Sequence, residues 1–503
     1  MKQDSRKRLL IYNSASSIVS QVISLACNFA LTRLILKNFG SDTNGLVASI
    51  TQFLGFIAFL EMGIGAVVKS ALYKPLADHN KDQISRVIIS TKNFYRKIAF
   101  ILILYTIVLT IVFPILYRET YSEIYTGFLV LNIAISLFAQ YYFGMPYQLL
   151  LNADQRTYIP TIICCATLAA NTVMSAILIY LGASIQIVKL VASLIYVIRP
   201  VLYNIYVRKK YSLNEKLVLD EEPIAQKWNG LAQHLAYVVV NYTDIVVLTL
   251  LSSLANVSIY TVYHNVTIGI QQVISCVSVG ISSMLGNVLY SESKEKLKDT
   301  FGMVEWFFHT ITTLLFTVSG LLIIPFVEIY TVGVNDANYI VPSFAILIVI
   351  AQASYSIRTP YETMILSANH FKDTQKSAII EMILNIGISI ILVYKLGLIG
   401  VAVGTVVAMV YRTVYFVVFL SKQTELQYKP IDFVKNIVID VIEVLVSITI
   451  CKFVFAFKMR NISWGAWFIL AIKVGIISLV VCLVINCIFN KKYFISFVKK
   501  IKR

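Results

Sequence analysis

The chain has 503 residues, of which 58% are hydrophobic and only 14% charged, and its mean hydropathy is +0.76. A soluble domain carries about 25% charged residues and a disordered chain has little apolar content, so both classes are excluded. The net charge of +17 arises from 43 Lys and Arg against 26 Asp and Glu; in so apolar a chain it points to basic cytoplasmic loops and not to nucleic acid.

Apolar segments of membrane-spanning length follow one another from end to end. In chain order they cover 9–36, 45–68, 94–116, 124–150, 157–181, 184–207, 228–251, 256–289, 301–326, 338–367, 377–395, 397–420, 436–456 and 465–488. This predicts an all-α integral membrane protein of about fourteen transmembrane helices. Lipid offers no partner to a free peptide group, and the alternation of a barrel strand is absent. Lys2, Arg6, Lys7 and Arg8 precede a long first helix that leads straight into further spans, so it does not read as a cleavable leader. With the N-terminus inside, 31 of the 43 basic residues fall in cytoplasmic segments. Five fall in outer loops: Lys37, Arg118, Lys395, Lys458 and Arg460. That asymmetry predicts a multi-pass protein of the cytoplasmic membrane with both termini cytoplasmic. The outer loops are short. The longest soluble stretch, 208–227, contains Asp220-Glu221-Glu222-Pro223 and reads as a linker. The seven cysteines lie in apolar stretches without metal-ligand spacing and read as small packing residues.

The two halves repeat weakly at an offset of about 214 residues. Pro146-Tyr147 in span four matches Pro360-Tyr361 in span ten. Tyr180-Leu181-Gly182 matches the region Tyr394 to Gly397, Arg199 matches Arg412, and Leu72-Tyr73 matches Leu289-Tyr290. Each copy holds six helices, an even number, so both insert the same way up and relate by an axis along the membrane normal. The expected organisation is an N-terminal six-helix lobe at 1–210, a cytoplasmic linker at 211–227, a C-terminal six-helix lobe at 228–422, and two additional helices with a basic tail at 423–503. Pro146 and Pro360 can kink their helices as part of a gate, or be tolerated as prolines commonly are in buried membrane helices.

Several segments then carry a family resemblance. Span one ends Leu31-Thr32-Arg33-Leu34-Ile35-Leu36-Lys37-Asn38-Phe39-Gly40, and Asn44-Gly45-Leu46 opens span two, which ends Glu61-Met62-Gly63-Ile64-Gly65-Ala66. Span seven carries Asn241-Tyr242-Thr243-Asp244-Ile245-Val246-Val247-Leu248, followed by Val257-Ser258-Ile259-Tyr260. The pattern resembles the polysaccharide/O-antigen flippases of lipid-linked oligosaccharides, within the multidrug/oligosaccharidyl-lipid/polysaccharide exporter superfamily. The resemblance covers spans one to twelve, and the extra pair fits the fourteen-span members. It implies two six-helix bundles around a central cavity. It also implies alternating-access translocation of undecaprenyl-pyrophosphate-linked oligosaccharide for capsule, exopolysaccharide or O-antigen synthesis. The implied partners are that lipid-linked oligosaccharide, membrane lipids and a polysaccharide polymerase machinery, with the chain itself a monomer and no nucleic acid involved.

A charge at bilayer depth costs at least about 2.5–3.5 kcal/mol on insertion scales, so it faces protein or a wet cavity. Spans one to twelve hold Arg33, Lys189, Arg199, Arg358 and Arg412 against Glu61, Asp244, Glu305, Glu362 and Glu381. A pyrophosphate cargo calls for permanent positive charge, and the planar guanidinium fork matches phosphate oxygens. The resemblance makes span one cavity-lining and so puts Arg33 first among the candidate diphosphate-binding residues. Lys69 stands at the cytoplasmic end of span two, Arg358 two residues before the span-ten proline, and Arg199 and Arg412 complete the set. The ordinary alternative for each is a structural ion pair or a snorkelling side chain, and the symmetric placement of Arg199 and Arg412 suits scaffold pairing. In the family's arrangement Asp244 faces span one, where it pairs with Arg33 in a gate or binds a coupling cation. Glu61, Glu381, His234 and His264 complete the candidates for gating or ion coupling, with H+ and Na+ both open. No metal or other cofactor is expected. Tyr141-Tyr142 and Tyr260 with Tyr263 can stack on sugar rings, although most tyrosines here read as packing or interfacial anchors. The basic tail from Lys491 to Arg503 would lie on anionic headgroups.

The nearest rival is an ion-coupled multidrug/cation antiporter of the same superfamily. Such a carrier needs carboxylates in the first spans of its lobes; Arg33 in span one argues against it, and Asp244 in span seven argues mildly for it. A membrane-bound polymerase or ligase would need a large outer loop bearing catalytic groups. No P-loop, paired His-Glu metal motif or nucleophile constellation is present, so the chain does not read as an enzyme.

Overall fold

A computed structural model describes residues 3–61, 63–214, 217, 223–224, 242–370, 372–423, 426, 428–454 and 463–501. The described residues are helical without strands, and the chain divides into two compact units, Met1–Val238 and Val239–Arg503. Nine helices among the described residues are long and apolar enough to cross a membrane.

In the first unit, α1 runs Gln3–Gly55 and absorbs span one and the start of span two. It is interrupted only at Gly40, whose φ of 84° lies in the left-handed region. A Cβ there costs about 1–2 kcal/mol, which is why the position suits glycine. Gly40→Ala should therefore lower the thermal unfolding midpoint in detergent. Gly387→Ala, in a helix with open space around the added methyl, should leave the midpoint unchanged or raise it.

Span two, expected as one helix over 45–68, is broken. A 3-10 segment, Phe56–Glu61, follows α1, and α2 (Ile64–Ala77) starts after Gly63, another positive-φ glycine. Helix α3 (Lys81–Leu116) begins well before the expected residue 94, because Asn80 caps it by accepting the Gln83 N–H at 3.0 Å. Helix α4 (Glu123–Ala139) passes through a π turn at Gln140–Gly144 into α5 (Met145–Ala153). The expected break at Pro146 is thus taken up by a widened turn just before it. Helices α6 (Tyr158–Tyr180) and α7 (Ile185–Tyr211) close the unit, α6 packing on α1 and α7.

The α5–α6 loop is tied down. Arg156 Nε lies 2.7 Å from Asp154 Oδ2, Tyr211 donates to the same carboxylate, and Asn13 of α1 donates to the Gln155 carbonyl. Burial works against the Arg156 charge, but the hydrogen bond and attraction of Asp154 outweigh it and hold the guanidinium pKa above its ordinary value.

In the second unit, α8 (Tyr242–Leu251) is the described part of span seven. It is followed by α9 (Leu254–Ser291), α10 (Lys294–Tyr330), α11 (Pro342–Ser367), α12 (Gln375–Leu396) and α13 (Leu398–Lys422). Helix α11 packs on α9, α10 and α13, and runs unbroken through Pro360. The appended pair, α14 (Pro430–Val454) and α15 (Trp464–Phe489), packs on α10. The basic tail forms an amphipathic helix, α16 (Lys491–Ile501). It rests on α10 through Trp306 against Tyr493 and Phe497, with Lys492 paired to Asp299.

Candidate functional site

The expected charged residues gather into separate clusters, each within one unit. The first surrounds Asp244, near the start of α8, which is 4% exposed. Its carboxylate accepts the Thr405 hydroxyl at 2.7 Å, the Tyr260 hydroxyl at 2.9 Å and the Asn385 amide at 3.3 Å. Asn385 Nδ2 also reaches Thr405 Oγ1 at 3.2 Å. Three neutral donors thus converge on this one carboxylate. Asn385 is fully buried, and its side-chain oxygen has no hydrogen-bond donor within reach. An orphaned acceptor beside an anion fits a hard monovalent cation, which favours oxygen ligands. Gly404 makes this geometry possible: a Cβ there would collide with Ser389 Oγ and the α12 backbone. The close approach of α13 to α12 sets Thr405 beside Asn385. His264 joins the cluster at one remove, stacked on Tyr260 with ring centroids 5.3 Å apart.

The second cluster unites three expected residues. Arg358 Nη1 of α11 lies 2.6 Å from Glu381 Oε1 of α12, and Arg412 Nε of α13 lies 3.6 Å from Glu381 Oε2. Arg358 Nε is 3.5 Å from Glu362. Arg412 also donates to the Thr374 carbonyl at 3.2 Å and to the Ser377 hydroxyl. All three central side chains are buried. Two cations and two anions balance within one unit, which is the arrangement of a helix-tying network.

In the first unit, Arg199 of α7 donates to Thr167 Oγ1 at 2.7 Å and to the Cys164 carbonyl at 3.4 Å, and lies over the Tyr196 ring. Arg199 and Arg412 thus make equivalent ties, each joining its helix to the preceding one. Cys164 and Ser377 stand at the same 213-residue offset as the two arginines. Glu61 closes the 3-10 segment of span two and is hydrogen-bonded to Tyr141 of the π turn, whose ring stacks on Tyr95 at 6.2 Å. Arg33 and Lys69 are half-buried on α1 and α2. His234 lies outside the described residues.

The tyrosines considered for sugar stacking are engaged otherwise in the second unit. Tyr260 binds Asp244, and the buried Tyr263 donates to the Tyr339 carbonyl at 2.7 Å. Tyr142 packs among Phe138, Phe143 and Arg96. Sequence reasoning missed Asn385 and Thr405. The available signal was Asn385 itself, which repeats Asn171 at the 214-residue offset; Asn171 is likewise buried and donates to Tyr196 at 2.8 Å.

This is a multi-pass, all-helical membrane protein whose fold matches those of the MurJ flippase and of MATE transporters. Among solved structures it is similar to the lipid II flippase MurJ in an inward closed conformation. That match has a TM-score of 0.69 and 16% identity, over 96% of this chain and 99% of that one. It is also similar to an inward-facing multidrug resistance MATE family transporter, with TM-score 0.61 and 16% identity over 80% of this chain and 94% of that one. A third is the Vibrio cholerae MATE transporter VcmN, with TM-score 0.57 and 14% identity over 86% of this chain and the whole of that one. No family model matches the chain, and no curated protein matches it.

Proposed function

We propose that the chain is a flippase that moves an undecaprenyl-pyrophosphate-linked oligosaccharide across the cytoplasmic membrane by alternating access, for surface polysaccharide synthesis. The observation that carries this reading is the extent of the likeness to the lipid II flippase. At 96% coverage it leaves too few residues outside to omit the appended pair α14–α15, so the likeness to a lipid II flippase extends over the whole plan of the chain. Arg33 and Lys69 serve the diphosphate, because both are basic and half-buried in the first unit. Arg358 and Arg412, committed to Glu381, hold the framework. A monovalent cation, Na+ or H+, bound at Asp244 couples the cycle.

Deletion in the native host is expected to accumulate the lipid-linked precursor on the inner leaflet, and the wild-type chain to restore surface glycan. Arg33→Ala should abolish glycan display at normal protein level; unchanged display would remove Arg33 from the site. The second reading, a drug or cation antiporter, is favoured by the buried carboxylate of Asp244 and by the MATE likeness. Resistance to cationic drugs on overexpression, with glycan export unaffected by deletion, would establish it in place of the first.

A further inference from the structure

The second unit contains another chain of buried ionisable groups, on α10, α11 and α14, that neither cargo binding nor the Asp244 cluster uses. Glu305 Oε1 accepts the Tyr361 hydroxyl at 2.7 Å, the Asn436 amide at 3.1 Å and the Tyr428 hydroxyl. His309 Nε2 lies 3.1 Å from the Tyr361 oxygen, and His309 Nδ1 lies 2.6 Å from Asp440 Oδ2. Glu305, His309 and Tyr361 are all buried. Next to this chain, a cavity of about 170 Å³ is walled by Glu305 itself with Tyr428 and Asn436, and by the exposed side chains of Lys298, Asp432 and Lys435.

We propose that Asp440, His309, Tyr361 and Glu305 form a proton-binding relay, with the proton entering and leaving through this cavity. The hydrogen-bond inventory requires one extra proton. Glu305 accepts three donors on one oxygen, as an ionised carboxylate does. Tyr361 has a single hydroxyl proton, and it is directed to Glu305, so toward His309 its oxygen is an acceptor and Nε2 must carry a hydrogen. Nδ1 then faces Asp440 across 2.6 Å, and that contact needs a proton of its own. The pair is either imidazolium with carboxylate or imidazole with carboxylic acid. In both forms it holds one proton more than a neutral histidine beside an ionised aspartate.

That proton has a continuous path outward. His309 Nε2 gives its hydrogen to the Tyr361 oxygen while Tyr361 passes its own hydrogen to Glu305 Oε1. The imidazolium becomes a neutral ring that keeps Nδ1–H on Asp440, Tyr361 remains a phenol, and Glu305 becomes a carboxylic acid. The net charge of the four groups is unchanged, and the two hydrogen bonds along the path, from Nε2 to Tyr361 and from Tyr361 to Glu305, reverse direction without a change of partner. From Glu305 the proton is released into the cavity. The ionisable groups facing the relay are Lys298 from α10, Asp432, Lys435 and Glu443 from α14, Cys482 from α15, and Tyr493 from α16. The inference does not depend on which cargo is carried.

The test uses the full chain in lipid nanodiscs with 15N-labelled histidine. As pH rises, the His309 signal, identified by its loss in His309→Gln, should pass from a doubly protonated ring to one protonated at Nδ1 only. Below that step the single relay proton is partitioned between the ring and Glu305, so over the same step infrared difference spectra should show the loss of a partial carboxylic-acid band that is absent from Glu305→Gln. In Tyr361→Phe, His309 should still titrate while the carboxyl band no longer follows it. A His309 ring that keeps one protonation state over the whole range in which the wild-type chain stays folded would overturn the relay. So would a carboxyl band unchanged by Glu305→Gln. If His309→Gln fails to fold, substitution of the other four histidines, His79, His234, His264 and His370, leaves His309 as the remaining signal and keeps the titration readable.

Discussion

Glu381→Ala is expected to deplete the membrane of folded protein rather than yield a stable, inactive carrier. Glu381 is the acid shared by Arg358 and Arg412. Its removal strands two buried guanidiniums on two different helices. Breaking a buried ion pair from one side costs about 3–5 kcal/mol, because the remaining charge is left uncompensated. A native domain has only about 5–15 kcal/mol in total. Glu362 cannot take over, since its side chain is 31% exposed and already 3.5 Å from Arg358 Nε. Glu381→Gln keeps the shape and one acceptor oxygen and should fall between wild type and Glu381→Ala. Arg199→Ala in the first unit should be milder. It loses hydrogen bonds to a hydroxyl and a carbonyl, worth about 1.5–3 kcal/mol where one partner is charged, and leaves no buried carboxylate of that network behind. Accumulation in membranes and the unfolding midpoint in detergent measure all three. A Glu381→Ala chain as stable as wild type would show the network to be dispensable.

Asp244→Asn is expected to do the reverse: the chain persists and cation dependence disappears. The amide keeps the volume and one acceptor for Thr405, Tyr260 or Asn385, so the helices remain joined. The anion is gone, and with it the reason for a cation to enter. For the wild-type chain, a cation bound only to the folded state stabilises by about 2.7 kcal/mol at one hundred times its dissociation constant. A midpoint that rises with Na+ in wild type and stays flat in Asp244→Asn would identify the ion and the site together. A midpoint unaffected by Na+ but dependent on pH, with that dependence lost in Asp244→Asn, would identify H+. Transport should fall about tenfold or more, which corresponds to about 1.4 kcal/mol. Equal ion responses in both proteins would remove Asp244 from coupling.

The spans were legible because a bilayer imposes length and hydropathy on every helix that crosses it, and apolar runs are read directly from the residues. What escaped lies where those constraints lapse. The first turns of α3, from Lys81, lie outside the apolar run and are marked only by the Asn80 cap. The break in span two is a matter of backbone angles at Gly63, and apart from Glu61 the residues around it are as apolar as a helix interior. Arg199 and Arg412 were legible as a symmetric pair, yet not the acid that Arg412 shares with Arg358, since the position 214 residues before Glu381 is Thr167. Asp440 lies in the appended helices, outside the two-fold pattern. Its contact with His309 joins residues 131 positions apart, a distance that periodicity cannot bridge.

Helix α16 carries Lys491, Lys492 and Lys499 on its exposed side while Tyr493 and Phe497 grip Trp306. Such a helix suits the water–lipid boundary, where each lysine near anionic headgroups would contribute about 1 kcal/mol. Because it is fastened to α10, it sets the depth at which α10 rides in the bilayer, much as a cork fixes the draught of a line. A change in lipid thickness would then act on α10 through these contacts.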